Sequence, residues 1–159
     1  MPFYYSVYRS AVTNGTAGTE STTGHIRMVS GSARTASVTG LFAAGRASTT
    51  GGFILRLKQW STTASSGGTA YTIVKRYPNN PAASISAATD ASAITAGSGG
   101  PIITLALGCP SGGGAAWVPT DPADAIQMEA GGGANNNLDV YSIGSAASMN
   151  IDITVEIAE

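Results

Sequence analysis

The residues from Met149 to Ile157 alternate between apolar and polar side chains, and this regularity constrains the fold more than any other feature of the sequence. Apolar side chains occupy every second position of the run, at Met149, Ile151, Ile153, Val155 and Ile157. Because successive side chains of a strand point to opposite faces, the pattern predicts a half-buried antiparallel strand. Such a strand must dock on strands that are already formed, so we expect it to complete a β-sheet.

The rest of the chain predicts about eight further short strands. Clusters of Val, Ile, Leu, Tyr and Phe alternate with segments rich in Gly, Ser, Thr and Asn, which favour turns. The predicted strands cover residues 3–8, 25–30, 36–42, 53–60, 70–77, 102–107, 125–130 and 138–143. This organisation predicts an all-β protein, an antiparallel two-sheet sandwich of the jelly-roll type, in which the first and last strands lie close together. An immunoglobulin-like sandwich is the alternative, but the sequence has no Cys…Trp…Cys pattern.

Length and composition predict one domain over residues 1–159. A chain of 159 residues buries roughly two thirds of its unfolded surface, which suffices for a core without disulfides. The segment at about 78–101 is rich in Ala, Ser and Pro, and we expect a long surface excursion there, with at most a short helix near 84–96. The first residues show no export signal, and no apolar run is long enough to span a bilayer, so we expect cytosolic synthesis and no membrane partner.

Charge is distributed unevenly along the chain. All eight Lys and Arg residues precede position 77, and of the nine acids only Glu20 does, so residues 1–76 carry a net +7 and the remainder −8. Either the two halves interleave in one sandwich and neutralise each other, or a basic surface of one subunit meets an acidic surface of the next. The basic half has no dense cluster of cations with interleaved aromatics, which predicts no nucleic-acid partner.

The segments 53–60 and 70–77 predict a hairpin with a loop at 61–69. Leu55 and Leu57 share one face of the first strand, which places Arg56 and Lys58 on the other. Since Lys75 and Arg76 are adjacent, one of them falls on the face of Arg56 and Lys58 in any register. These four cations are our candidate contacts to a neighbouring subunit or another acidic surface; a solvated sheet face is the alternative.

The residues needed for catalysis or metal binding do not form a recognisable set. His25 and Cys109 are the only histidine and the only cysteine, and they lie far apart in the sequence. We therefore predict no enzymatic activity, no catalytic or metal site and no cofactor. We expect His25 to be a polar residue at a strand edge and Cys109 an inert thiol at the base of a loop. Asp121 or Asp124 fits a turn that leads into the next strand, because their spacing does not match a calcium loop.

From Gly52 onward, the order of segments resembles the jelly-roll decoration, or cement, proteins of tailed bacteriophage capsids. The resemblance lies in "FILRLKQWSTTASSGGTAYTIVKR", the Ala/Ser/Pro-rich excursion, "WVPTDPADAIQMEAGGG" and the closing alternating strand. It implies a homotrimer on the outer capsid surface that bridges neighbouring major capsid subunits. The implied location is the virion.

A second function shares the expected fold. A glycan- or receptor-binding tip domain of a phage tail fibre is also a trimeric β-sandwich, so the fold alone does not separate the two functions. Glycan sites usually combine aromatic side chains with acids or amides. Trp117 with Asp121 is the candidate glycan contact in the sequence, although Trp60 and Trp117 also fit core or interface packing.

Overall fold

The computed structural model describes residues 1–13, 24–46, 52–60, 67–89, 101–108, 113–131, 137–143 and 150–159. This part of the chain forms twelve strands and one short 3₁₀ helix at Pro122–Asp124. The strands are β1 (Tyr4–Thr13), β2 (Ile26–Val29), β3 (Ala36–Gly45), β4 (Gly52–Trp60), β5 (Thr69–Tyr71), β6 (Val74–Lys75), β7 (Ser86–Thr89), β8 (Pro101–Gly108), β9 (Gly114–Trp117), β10 (Ile126–Met128), β11 (Asn137–Ile143) and β12 (Asn150–Ala158).

Two antiparallel sheets pack face to face, which confirms the predicted fold class. Sheet 1 has the order β10-β3-β12-β1-β6, and β9 pairs with β3 beside β10. Sheet 2 has the order β5-β7-β2-β11-β4-β8. Four nested pairs, β1 with β12, β2 with β11, β3 with β9 and β4 with β8, give the jelly-roll topology.

The final strand closes the core as its alternation predicts. β12 lies between β1 and β3, and the side chains of Ile151, Ile153, Val155 and Ile157 are fully buried. Backbone hydrogen bonds between Phe3 and Glu159 extend the β1–β12 pairing by one residue pair, with N···O distances of 2.7 and 2.9 Å. The inner face of sheet 2 contributes Ile26, Met28, Leu55, Leu57, Leu138 and Val140 to the same core.

The predicted hairpin between residues 53–60 and 70–77 is wrong. β4 pairs with β11 and β8, whereas residues 70–77 divide into β5, which pairs with β7 in sheet 2, and β6, which pairs with β1 in sheet 1. Thr72 and Ile73 carry the chain from one sheet to the other. Alternation fixes which side chains share a face, but it does not fix the partner strand, and β11 and β8 offer β4 much longer apolar partners than residues 70–77 do.

Among the described residues, ion pairs join cations of the N-terminal half to acids of the C-terminal segment. Arg34 lies 2.9 Å from Glu159, Arg46 3.5 Å from Asp152, and Arg76 2.9 Å from Glu156. These distances connect guanidinium nitrogens to carboxylate oxygens within one chain. The two oppositely charged halves therefore interleave in one sandwich, as one of the two interpretations of the charge distribution predicted.

Candidate interaction surface

The four predicted contact cations do not form one cluster. Arg56 and Lys58 lie on β4 in sheet 2, while Lys75 lies on β6 in sheet 1 and Arg76 directly follows it. The expected crowding of three cations on one face is therefore wrong, because it depended on the hairpin. Arg76 instead donates to Glu156 of its own chain.

Lys58 faces the outer side of sheet 2, yet its side chain is almost fully buried. In the register, Asp139 of β11 lies opposite Lys58 on one side and opposite Arg27 on the other. Directly opposite residues have Cβ atoms about 5 Å apart, so charges of opposite sign alternate along this row. Lys58 is only 4% exposed and Asp139 is fully buried. The acidic neighbour that the cations of β4 were expected to need is thus placed beside Lys58 by the chain itself.

The outer face of sheet 1 has a different character, because small and aromatic side chains cover its centre. One register row contains Ala116, Phe42, Thr154 and Tyr8, contributed by β9, β3, β12 and β1 in turn. The neighbouring row contains Gly114, Ala44 and Asp152. Together these residues line a groove with a volume of about 490 Å³.

The shape of this groove follows from its residue types. Ala44, Gly114 and Ala116 are exposed and have little or no side chain, so they form a low floor. Tyr8, which is 43% exposed, and the half-buried Phe42 rise beside it. We call this surface the groove face. It combines aromatic side chains, a hydroxyl and a carboxylate in one concave patch.

The carboxylate of the groove face is held from below and largely neutralised. Asp152 Oδ1 accepts a hydrogen bond from the backbone N–H of Ala11 at 3.0 Å, and Oδ2 lies 3.5 Å from Nε of Arg46. A bulge between Arg9 and Val12 turns that N–H toward Asp152, and Ala11 adopts a left-handed conformation with φ 53°. Desolvation, and next the negative charge of Asp152, raise the pKa of the Tyr8 phenol. Because Arg46 offsets the charge of Asp152 and the Tyr8 phenol stays protonated, the groove face is close to neutral.

The two edges of sheet 1 carry exposed apolar side chains next to charges of opposite sign. At one edge, the connection from β9 to β10 exposes Val118 (55%), Asp121 and Asp124; we call this the acidic edge. At the other edge, Val74 (53%), Lys75 and Tyr77 (59%) are exposed on and after β6; we call this the basic edge. Large exposed apolar side chains beside charges are typical of contact surfaces.

The predicted glycan pair has structural roles at the acidic edge. Trp117 is half-buried and packs against the core, in agreement with the expected packing role. Asp121 is exposed, and its Oδ1 accepts from the backbone N–H of Ala123 at 2.8 Å, which caps the 3₁₀ helix leading to β10. The predicted turn before a strand is therefore confirmed for Asp121. Whether Trp117 and Asp121 contact a glycan stays a prediction.

His25 directly precedes β2, which lies between β7 and β11 inside sheet 2, so it is not at a sheet edge, and it is buried. Its Nε2 lies 2.8 Å from Oγ of Ser142, and both residues are buried. Cys109 lies outside the described residues. Within the described ranges, no three His, Cys, Asp or Glu side chains come together as metal ligands. The same ranges contain no helix long and apolar enough to cross a membrane.

The groove face could be only partly anticipated from sequence. Alternation along β12 predicts that Asp152 and Thr154 point away from the core, as they do. Their proximity to Tyr8 and Phe42 depends on pairings across more than a hundred residues, for which the sequence carries no local indication. No protein-family model matches the chain, and no curated protein matches it with significant similarity.

Proposed function

We propose that the chain is a non-enzymatic virion structural protein, which binds the outer surface of an assembled phage capsid as a homotrimer and stabilises it. The phage assignment rests on the resemblance of the segments from Gly52 onward. The observation that carries an association role is the groove face. Its centre is apolar, aromatic and nearly neutral, while charges lie at its edges, as in the core and rim of protein interfaces.

The stabilising mechanism needs binding alone. A protein that clamps neighbouring coat subunits favours the assembled lattice over the ruptured one by mass action. A standard interface buries about 1,600 Å² in total, and many copies of modest affinity sum to a large effect on the particle. The jelly roll supplies a compact core from packing of apolar side chains on β12 and β11, so the outer face of sheet 1 is left for contacts.

The direct test uses particles that lack this protein. We expect such particles to release DNA at a lower temperature than complete particles, and the purified protein to rebind and restore the higher temperature. If particles with and without the protein release DNA at the same temperature and the purified protein does not rebind, the proposed capsid function is wrong. Copy number in purified particles gives a second measurement, because a capsid protein is present in many copies and a fibre tip in few.

A matched pair of variants tests the contribution of the groove face. Ala116→Asp places a charge in the groove, whereas Ala106→Asp places the same charge on an exposed position of β8 in sheet 2. Both alanines are exposed on strands, so both variants should fold. We expect Ala116→Asp to abolish rebinding or trimer formation and Ala106→Asp to preserve both. Equal behaviour of the two would exclude the groove face as a contact surface.

Glycan binding at a fibre tip is the second candidate function, and the groove face is the observation that favours it. Tyr8 and Phe42 beside Asp152 and Thr154 combine aromatic faces with polar groups, and the volume of about 490 Å³ lies within the usual range of ligand sites. This location differs from the Trp117–Asp121 pair. An immobilised panel of bacterial surface oligosaccharides would test it, with Tyr8→Ala expected to lose any binding and Trp117→Ala serving as the comparison.

A further inference from the structure

The acidic edge and the basic edge of sheet 1 lie at the same height along the strands. Across the sheet, Val74 lies opposite Ser6, Ser6 opposite Glu156, and Glu156 opposite Gly40. β9 pairs with β3 from Leu41 onward and β10 up to Val38, so the connection between them spans the sheet edge beside Gly40. One register row therefore ends at the basic edge on one side and at the acidic edge on the other.

The two edges are also complementary in chemistry. The basic edge presents Lys75, which lines a cleft of about 330 Å³ together with Tyr71, Ile73 and Ile85. The acidic edge presents the apolar side chain of Val118 three residues before Asp121. An apolar projection beside an acid thus faces one way from the sheet, and an apolar cleft beside a cation faces the other way.

We propose that copies of the chain associate head to tail, with the acidic edge of one copy packed on the basic edge of the next. Val118 then contacts the cleft that Lys75 lines, and Asp121 and Asp124 face Lys75. This inference rests on the self-association included in the proposed function, and it identifies the surfaces that make it. Since the contact joins two different patches, it is heterologous, and such contacts close into a ring only when rotation occurs without translation along the axis.

The shared height of the edges supplies that closure condition. For an axis that runs along the strands, patches at equal height are related by rotation alone, whereas unequal heights would generate an open filament. The groove face lies between the two edges. The register of β6 and of the β9–β10 connection therefore favours a closed ring over an open filament.

Charge reversal tests the contact and includes its own rescue. Lys75→Glu, and separately Asp121→Lys with Asp124→Lys, place like charges at every junction, so each variant should weaken association by about tenfold or more. A chain carrying all three substitutions restores opposite charges at every junction and should regain the mass of the original assembly. The three substituted residues are exposed, so circular dichroism should show both sheets intact. Asp121→Ala, which removes the same cap of the 3₁₀ helix without reversing the charge, is the control for the local structure. Mass is measured by sedimentation over micromolar concentrations.

Cross-linking separates this arrangement from a two-fold one. Val74→Cys and Val118→Cys variants are treated with a short bis-maleimide, alone and after co-expression; the original chain, whose only cysteine is Cys109, sets the background. Head-to-tail packing predicts cross-linked pairs only in the co-expressed sample. Self-cross-linking of Val74→Cys, no cross-link in an associated sample, a monomeric original chain, or failure of the triple variant to reassociate would each overturn the proposal.

The outcomes also remain distinguishable from those for the capsid function. If a monomeric protein binds stripped particles, the proposed capsid function stands and the proposed head-to-tail contact is wrong. If the protein forms a ring through the acidic and basic edges but does not bind particles, the proposed contact stands and the proposed capsid function is wrong. The assembly mass and the binding to stripped particles are measured separately on the same variants.

Discussion

Replacement of Glu159 tests how the end of β12 is fixed to the rest of the sandwich. The Glu159 side chain is fully buried, and Arg34 donates to its Oε2 at 2.9 Å. Its carboxylate also accepts from the backbone N–H groups of Ser84 and Ile85 at 2.9–3.0 Å and from the Ser84 hydroxyl at 3.1 Å. One carboxylate therefore connects β12, the segment before β7 and the β2–β3 connection.

The magnitude follows from the donors that Glu159→Ala leaves behind. Ile85 is buried, so loss of an acceptor for its N–H costs about 1–3 kcal/mol. The Ser84 N–H is partly accessible to water and adds about 1 kcal/mol, and the one-third-exposed Arg34 adds about 0.5–1 kcal/mol. We expect a total near 3–4 kcal/mol for Glu159→Ala and a smaller loss for Glu159→Gln, since one amide oxygen still accepts.

Glu156→Ala is the matched control, because it removes the same type of side chain three residues earlier, within β12. Glu156 pairs with Arg76 at 2.9 Å, but their side chains are 28% and 48% exposed, so this ion pair contributes about 0–1 kcal/mol. The assay is urea unfolding at one fixed protein concentration with the slope compared between variants. If Glu159→Ala and Glu156→Ala lose equal stability, the buried carboxylate does not fix the end of β12.

Three further predictions concern the core, a buried phenol and a close backbone contact. Ile153→Asp buries a charge and should prevent folding, whereas Thr154→Asp on the outer face should fold, as soluble expression and melting would show; equal behaviour would contradict the face assignment. Desolvation, and next the charge of Glu159, raise the pKa of the Tyr5 phenol, so the fold favours its neutral form. The contribution of the Tyr5 phenol to the free energy of unfolding is then fully present below the unfolded-state pKa of about 10, and it is lost as the pH rises through the higher folded-state pKa. Tyr5→Phe should make the urea midpoint fall less steeply with pH across that range. An unchanged dependence of the midpoint on pH would refute the attribution to Tyr5. In Gly31→Ala, the added Cβ would lie 2.0 Å from the carbonyl oxygen of Ser84, and we expect a loss of about 2 kcal/mol or more in urea unfolding, where a neutral result would contradict the packing.

Local alternation predicted the faces of the strands correctly. Ile151, Ile153, Val155 and Ile157 are buried in β12, and Leu55 and Leu57 in β4, because a period of two is a property of each strand by itself. The two-sheet sandwich was predictable for the same reason, since many half-buried strands must cover one another's apolar faces.

Strand partners and weak strands were not predictable in the same way. β4 pairs with β11 and β8 rather than with residues 70–77, a choice that depends on the whole sandwich. β7 and β9 were missed because their sequences, "SAAT" and "GAAW", are dominated by small residues of low β-propensity and form strands through tertiary pairing. β7 lies inside the segment predicted as a surface excursion, which is therefore partly incorporated into sheet 2. Those same small residues in β9 form the floor of the groove face, so the site was missed together with the strand.

The four predicted contact cations now receive separate roles that one comparison can distinguish. Lys75 belongs to the basic edge and Arg76 pairs with Glu156 on sheet 1, whereas Arg56 and Lys58 lie on sheet 2. On the outer face of sheet 2, Lys58 and Tyr141 are buried within the chain, so these two side chains are not available to a neighbouring molecule. Arg56 is half-buried on that face, opposite Tyr141 and Thr104. Arg56→Glu should therefore leave the assembly mass unchanged, whereas Lys75→Glu should reduce it. If Arg56→Glu reduces the mass and Lys75→Glu does not, the subunit contact lies on sheet 2 and not at the edges of sheet 1.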